Sequence, residues 1–156
     1  MHAICVPAVG HFDLKPANVL LTESGRAKLT DFGLAAEVKG QKGLCGTAGY
    51  RPPEVVAIDG VWASTAHRSC TLHTAADVWA FACIIVCVLA WHAEPYPHFK
   101  ESWGMVDRAV AECGLRPKVS EPVALAVICV GCSKPRWERW TSGEACQALD
   151  KYMALH

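Results

Sequence analysis

The sequence predicts an α+β fold that is mainly helical, with a small β-hairpin and a central buried helix. Two stretches carry that expectation. Residues 19 to 31, VLLTESGRAKLTD, place two short apolar or alternating runs around a TESG turn, where Gly25 can take a positive φ. Residues 78 to 91, VWAFACIIVCVLAW, are apolar nearly all round, as a helix inside a core must be. These 14 residues are short of the about 20 that a membrane span needs.

The other elements follow in order. Residues 33 to 53 are rich in glycine and end in RPP, which reads as an irregular segment. Residues 55 to 73 suit a short helix and a loop. Thr74, with Asp77 three positions later and an apolar run behind it, has the form of a helix N-terminal box. The central helix is expected from about Ala75 to Ala90, and EPYPH ends it. Helical patterns resume near Trp103 to Cys113, Val123 to Cys132 and Ser142 to Leu155, with breaks at Pro117, Pro122 and Pro135. The 156 residues are enough for one domain with its own core, and there is no internal repeat.

Composition excludes some classes of function. Lys plus Arg is 15 and Asp plus Glu is 15, so no basic field exists to hold nucleic acid or an anionic membrane. The apolar content of 52% is high for a small domain and implies apolar surface that a partner covers. The N-terminus lacks the basic start and apolar segment of a secretory signal, so a cytoplasmic or nuclear chain is expected. Nine cysteines, an odd number without such a signal, are expected as free thiols. His67, Cys70 and His73 are evenly spaced but lack the fourth ligand that zinc requires. Cys129 and Cys132 form a lone C-x-x-C, and Cys83 and Cys87 sit four apart on the buried helix as space fillers.

Four motifs occur in order: HFDLKPANVLL, AKLTDFGLA, GTAGYRPPE and ADVWAFACIIVCVL. Together they resemble the C-terminal lobe of a eukaryotic protein kinase of the serine/threonine type, across nearly the whole chain. His11, Phe12, Asp13 and Asn18 are similar to the family's H-R-D-x-x-x-x-N catalytic loop. Asp31, Phe32 and Gly33 match D-F-G, and Pro52, Pro53 and Glu54 stand where A-P-E is expected. The resemblance implies transfer of the ATP γ-phosphate to a hydroxyl of a protein substrate. Asp13 would orient that hydroxyl, Lys15 would steady the phosphate, and Thr47 would contact both. Asn18 and Asp31 would hold Mg2+, whose preference for hard oxygen ligands suits an amide and a carboxylate. Leu20 would lie under adenine, or by composition alone would be a strand residue facing the core. His11, Phe32 and Gly33 are implied structural positions. Glu54 is expected to pair with Arg139, with Arg136 as the alternative, and Asp77 to tie down the backbone near His11, a role compatible with simple helix capping.

The sequence also departs from that family. No Gly-rich loop, strand lysine or helix glutamate precedes Asp13, so the N-terminal lobe is expected to be absent and residues 1 to 10 to be the end of a helix and a loop. Phenylalanine replaces the arginine that commonly reads a phosphate on the activation loop, and Leu34 to Cys45 contains no Ser, Thr or Tyr. The 23 positions from Glu54 to Asp77 include an expected loop insertion, VWASTAHRSCTLH. Residues 1 to 156 are therefore expected to be a partial kinase domain that does not turn over alone. The alternatives are a pseudokinase-like binding module and a truncated gene-model fragment.

Overall fold

The computed structural model describes residues 8–37, 45–59, 74–99, 102–118 and 132–154. The expected insertion from residue 61 onward, the stretch 123–131 and the residues His67, Cys70, His73 and Cys129 lie outside them. The described chain is mainly helical with a few short strands. Strand β1 (Val9–Gly10) pairs antiparallel with β4 (Ala36–Glu37), and β2 (Val19–Leu21) pairs antiparallel with β3 (Ala27–Leu29). The second pair is the expected hairpin, with Leu20 opposite Lys28. Gly25 takes φ 76°, and its N–H donates to Thr22 O at 2.9 Å to close the turn.

The first pair corrects two expectations. Val9 and Gly10 are strand where the end of a helix and a loop were expected, and Ala36 and Glu37 interrupt the segment read as irregular. Two-residue strands are too short to show a period of two, so no pattern marks them. Of the two readings of Leu20, the one drawn from composition is corrected: it is 56% exposed rather than facing the core, because among the described residues β2 and β3 form a sheet of two strands.

Among the described residues, four helices carry the core: α1 (Pro53–Asp59), α2 (Ala75–Ala90), α3 (Trp103–Glu112) and α4 (Ser142–Met153). Pro53 opens α1, where its fixed φ and missing N–H cost nothing. Helix α2 reaches all three hydrophobic clusters. Trp79 and Cys83 pack with Tyr50, Tyr96 and Val106; Val78 and Ala82 pack with Cys132 and Ala145; Ala76 packs with Phe12 and Val55. Contact on several sides explains why its sequence is apolar nearly all round. The box expected at its start is absent as such. Thr74 makes no side-chain capping bond, and the Asp77 carboxylate serves residues far away in sequence. Trp91 ends the helix in the left-handed region at φ 53°.

Helix α3 stops at Gly114, whose φ of 68° turns the chain so that Leu115 N donates to Ala109 O at 3.0 Å. Helix α4 starts with a reciprocal box: Glu144 N donates to Thr141 Oγ1 at 3.2 Å, and Thr141 N donates to Glu144 Oε2 at 2.7 Å. Cys45, Cys83, Cys87, Cys113, Cys132 and Cys146 are free thiols. Among the described residues no helix is long and apolar enough to cross a membrane.

One ion pair joins the two ends of this arrangement. Arg139 donates to both Glu54 oxygens, at 2.7 and 3.1 Å, with its side chain fully buried. It also donates to Ala75 O at 2.7 Å and to Lys134 O at 3.1 Å. Arg139 is thus bonded to Glu54 through both of its terminal nitrogens. The Arg139 guanidinium also lies 5.2 Å from the Trp79 ring centroid. Arg139→Met removes the cation paired with the Glu54 carboxylate, and is expected to cost about 3–5 kcal/mol. Urea unfolding of the variant measures this, and a loss below about 1 kcal/mol contradicts it.

Candidate active site

The site begins with two backbone amides and one buried carboxylate. His11 N and Phe12 N donate to Asp77 Oδ2 and Oδ1 at 2.7 and 2.8 Å. These bonds hold Phe12 at φ 62°, in the left-handed region that a bulky residue normally avoids. That backbone costs about 1–3 kcal/mol. Two hydrogen bonds from adjacent amides to one buried carboxyl group, each worth about 0.5–1.5 kcal/mol net, oppose that cost. The Phe12 ring is buried among Val55, Ala76, Ala36 and Cys45. It also fills the space in front of Gly10, where any Cβ would run into the ring. Gly46, at φ 83°, passes so close that a Cβ there would sit 2.6 Å from Phe12 O.

His11 is 1% exposed and braces the next segment. Asp13 N donates to its Nδ1 at 3.3 Å, so Nδ1 is the acceptor and Nε2 carries the hydrogen that meets Thr30 O at 2.9 Å. The Phe32 ring lies 5.0 Å from the imidazole at a tilt of 53°. Lys15 is extended, and Pro16–Asn18 then form a tight 3-10 turn with proline at its start. That turn brings Asn18 back to Asp13. Asn18 Nδ2 donates to Asp13 O at 2.8 Å and to Asp13 Oδ2 at 3.2 Å.

Thr47 arrives from a separate loop. Its hydroxyl donates to Asp13 Oδ1 at 2.7 Å and accepts from Lys15 Nζ at 2.8 Å. Lys15 Nζ also lies 3.0 Å from Asp13 Oδ2. The structure therefore brings Asp13, Lys15, Asn18 and Thr47 into one bonded cluster. Burial pushes the Asp13 carboxyl up, but hydrogen bonds from Thr47, Lys15 and Asn18 and the Lys15 charge outweigh it and hold it below the usual carboxylate range. The three donors take three of the about four acceptor directions of a carboxylate, leaving one open.

Asp31 and Leu20 are not in that cluster. Asp31 is exposed at φ 57°, and its carboxylate accepts from Gly33 N at 3.4 Å. It stays nearby because Thr30 N donates to Asn18 O at 3.0 Å. Both Asn18 hydrogen bonds to Asp13 use Nδ2, which leaves Oδ1 unengaged by Asp13. An amide oxygen and a carboxylate are the hard oxygen donors that magnesium prefers, so Asn18 and Asp31 fit that ion by donor chemistry. No group of three or more His, Cys, Asp or Glu that could hold a metal occurs among the described residues.

Two residues that sequence reasoning did not single out support the cluster. Arg51 holds Gly46 O, and Asp107 of α3 holds Arg51 and Gly49 N. No motif links positions 56 apart, so only the fold reveals them. A recess of about 20 Å³, the size of one water, lies among Phe12, Asp13, Thr47 and Arg51. A larger apolar cavity of about 190 Å³ lies behind His11, among Leu29, Phe81 and Ala145, and none of the four clustered side chains lines it.

The acid-linked behaviour of Asp13 tests this geometry. Its folded value lies below the unfolded value of about 3.9, so it adds stability above that pH and the contribution is lost as pH falls through the folded value. Thr47→Val removes one lowering bond and is expected to raise the Asp13 pKa, read by carbonyl-carbon NMR titration. An unchanged titration contradicts the bond.

Comparison with known proteins places this arrangement in a family. The model of the protein kinase domain matches residues 1–149. G protein-coupled receptor kinase 4 of Rattus norvegicus is 35% identical over 92 residues, 57% of this chain and 14% of that protein. CBL-interacting serine/threonine-protein kinase 20 of Arabidopsis thaliana is 41% identical over 88 residues, 53% of this chain and 18% of that protein. Inactive serine/threonine-protein kinase PLK5 of Mus musculus is 39% identical over 83 residues, 51% of this chain and 12% of that protein. The chain thus spans less than a fifth of the length of these curated relatives. With a family match over nearly all its residues, and kinases among its relatives, the chain belongs to the protein kinase domain family.

Proposed function

We propose that residues 1 to 156 form the C-terminal-lobe part of a serine/threonine protein kinase domain, bearing the residues that orient the acceptor hydroxyl and the transferring phosphate. The contact of Asp13, Lys15 and Thr47 carries this reading. Asp13, ionised at neutral pH, accepts the proton of a substrate hydroxyl through its remaining lone pair. Lys15 brings a positive charge to the side on which phosphate charge develops. Thr47 fixes the carboxylate and the ammonium relative to one another. Asn18 and Asp31 would hold magnesium, which neutralises charge on the β- and γ-phosphates of ATP when bound. The bond between Lys15 and Thr47 favours serine and threonine over tyrosine as acceptor, since it matches the lysine-threonine pair of that class.

Regulation follows from Phe12. An apolar ring sits where an arginine would receive a phosphate, and it packs on Ala36 and Cys45 at the two ends of the intervening loop. Leu34 to Cys45 supplies no hydroxyl to phosphorylate. At its described ends, Ala36 and Cys45, this loop meets apolar packing rather than a charge, and activation does not depend on phosphorylating it.

The exposure of Leu20 at 56%, Leu29 at 41% and Phe32 at 50% supports a second reading for the residues alone, a module whose apolar face is covered by a partner. Among the described residues, Leu20, Leu29 and Phe32 leave that face open to solvent. Calorimetry of the 156-residue chain with ATP and magnesium is expected to show nothing tighter than about millimolar, and micromolar affinity overturns the half-site reading. Fused behind the nucleotide-binding lobe of a serine/threonine kinase, the chain is expected to label serine and threonine peptides but not tyrosine peptides. Asp13→Asn is expected to slow that transfer by about 10²–10⁴-fold. A folded fusion that labels no peptide sinks the transferase reading.

A further inference from the structure

The loop that delivers Thr47 is intrinsically loose. Gly46 and Gly49 flank it at φ 83° and 85°, a backbone with few steric limits of its own. Within it, Tyr50 N donates to Thr47 O at 3.1 Å to close a turn. Something outside the loop must fix where that turn sits relative to Asp13.

Both ends of the turn are held through one carboxylate. Arg51 Nε and Nη2 donate to Gly46 O at 2.8 and 2.6 Å, immediately before Thr47. Arg51 Nη1 donates to Asp107 Oδ2 at 3.0 Å. The other oxygen, Asp107 Oδ1, accepts from Gly49 N at 3.2 Å, two residues after Thr47. The side chains of Arg51 and Asp107 are only 18% and 12% exposed, so solvent screens the pair weakly. Asp107 is rigidly placed, because Val106 and Val110 beside it on α3 are 0% and 1% exposed. Neither Arg51 nor Asp107 bonds to Asp13, Lys15 or the Thr47 side chain.

We propose that Arg51 and Asp107 are positioning residues, a clamp that ties the Thr47 turn to the core through α3 and so sets the Thr47–Asp13–Lys15 contact. The proposal rests on the reading of that contact as the hydroxyl-orienting site, but its physical content is separable from turnover. The guanidinium spans Gly46 O and Asp107 as a fork, which a lysine at position 51 cannot reproduce with a single ammonium. Asparagine at position 107 keeps an oxygen for Gly49 N and loses the charge. Alanine at position 107 loses both.

NMR of the 156-residue chain tests the clamp. The readouts are the Thr47 methyl signal, the Asn18 side-chain amide signals and exchange of the Gly49 amide. Arg51→Met is expected to shift the Thr47 and Asn18 signals while those of Thr141 and Glu144 in the α4 box stay in place. Asp107→Ala is expected to shift them too and to speed Gly49 exchange by about two- to tenfold. Asp107→Asn is expected to shift them less and to retain most Gly49 protection. If Arg51→Met does not fold, the two Asp107 variants decide the matter. Thr47 and Asn18 signals that coincide with wild type in the folded variants overturn the proposal. Shifts as large in α4 as around Thr47 also overturn it, since they mark a support of the whole fold. A clamp that behaves as expected, beside a fusion that transfers no phosphate, leaves the positioning role standing and removes the kinase reading.

Discussion

The Asp77 carboxylate is the interaction on which the rest of the structure depends. It sits in the first turn of α2, the helix that all three hydrophobic clusters share, and is itself 3% exposed. From there it accepts two adjacent backbone amides, His11 and Phe12. Those two bonds impose a left-handed residue at Phe12. The turn they create points the Phe12 ring into the core and the Asp13 carboxylate toward Thr47 and Lys15. Without a fixed acceptor at Asp77, two buried donors would lack partners, and a strained backbone would have nothing holding it.

The same turn of helix receives the other long-range anchor. Ala75 O accepts from Arg139, which is bound by both nitrogens to Glu54 at the start of α1. Two residues apart on one helix, then, lie the attachment of the segment bearing Asp13 and the attachment of the segment leading from Thr47 into α1. This shared footing lets two loops, 34 positions apart, meet at hydrogen-bond distance. Among the described residues, beyond the short 3-10 turn at Pro16–Asn18, neither loop has regular structure of its own to guarantee that meeting. The charges follow from it: Asp13 loses solvent, yet remains a strong acceptor because three donors converge on it.

Much of this was legible in the residues, and the limits have physical causes. The hairpin announced itself through Gly25, and α2 through its unbroken apolar run. Arg139 could be paired with Glu54 because the motif spacing was intact. The cluster of Asp13, Lys15, Asn18 and Thr47 could be named, but no sequence distance shows that Lys15 bonds to both partners. The two-residue strands β1 and β4 were invisible, since they are too short to alternate. Thr74 and Asp77 looked like a helix box because capping and long-range anchoring use the same acid at the same place. By composition alone Leu20 reads as a core residue, because a short apolar run does not reveal whether a second layer covers its sheet. Arg51 and Asp107 carry no signature at all, because an ion pair between a loop and a distant helix is a product of the fold alone.

Gly10 and Phe12 have a consequence for how this sequence can change. The phenylalanine ring occupies the space a side chain at position 10 would need. Any side chain at position 10 is accepted only if that ring shifts. A smaller or more flexible side chain at position 12 would remove the obstacle. The two positions are therefore coupled, and a substitution at one changes what the other tolerates.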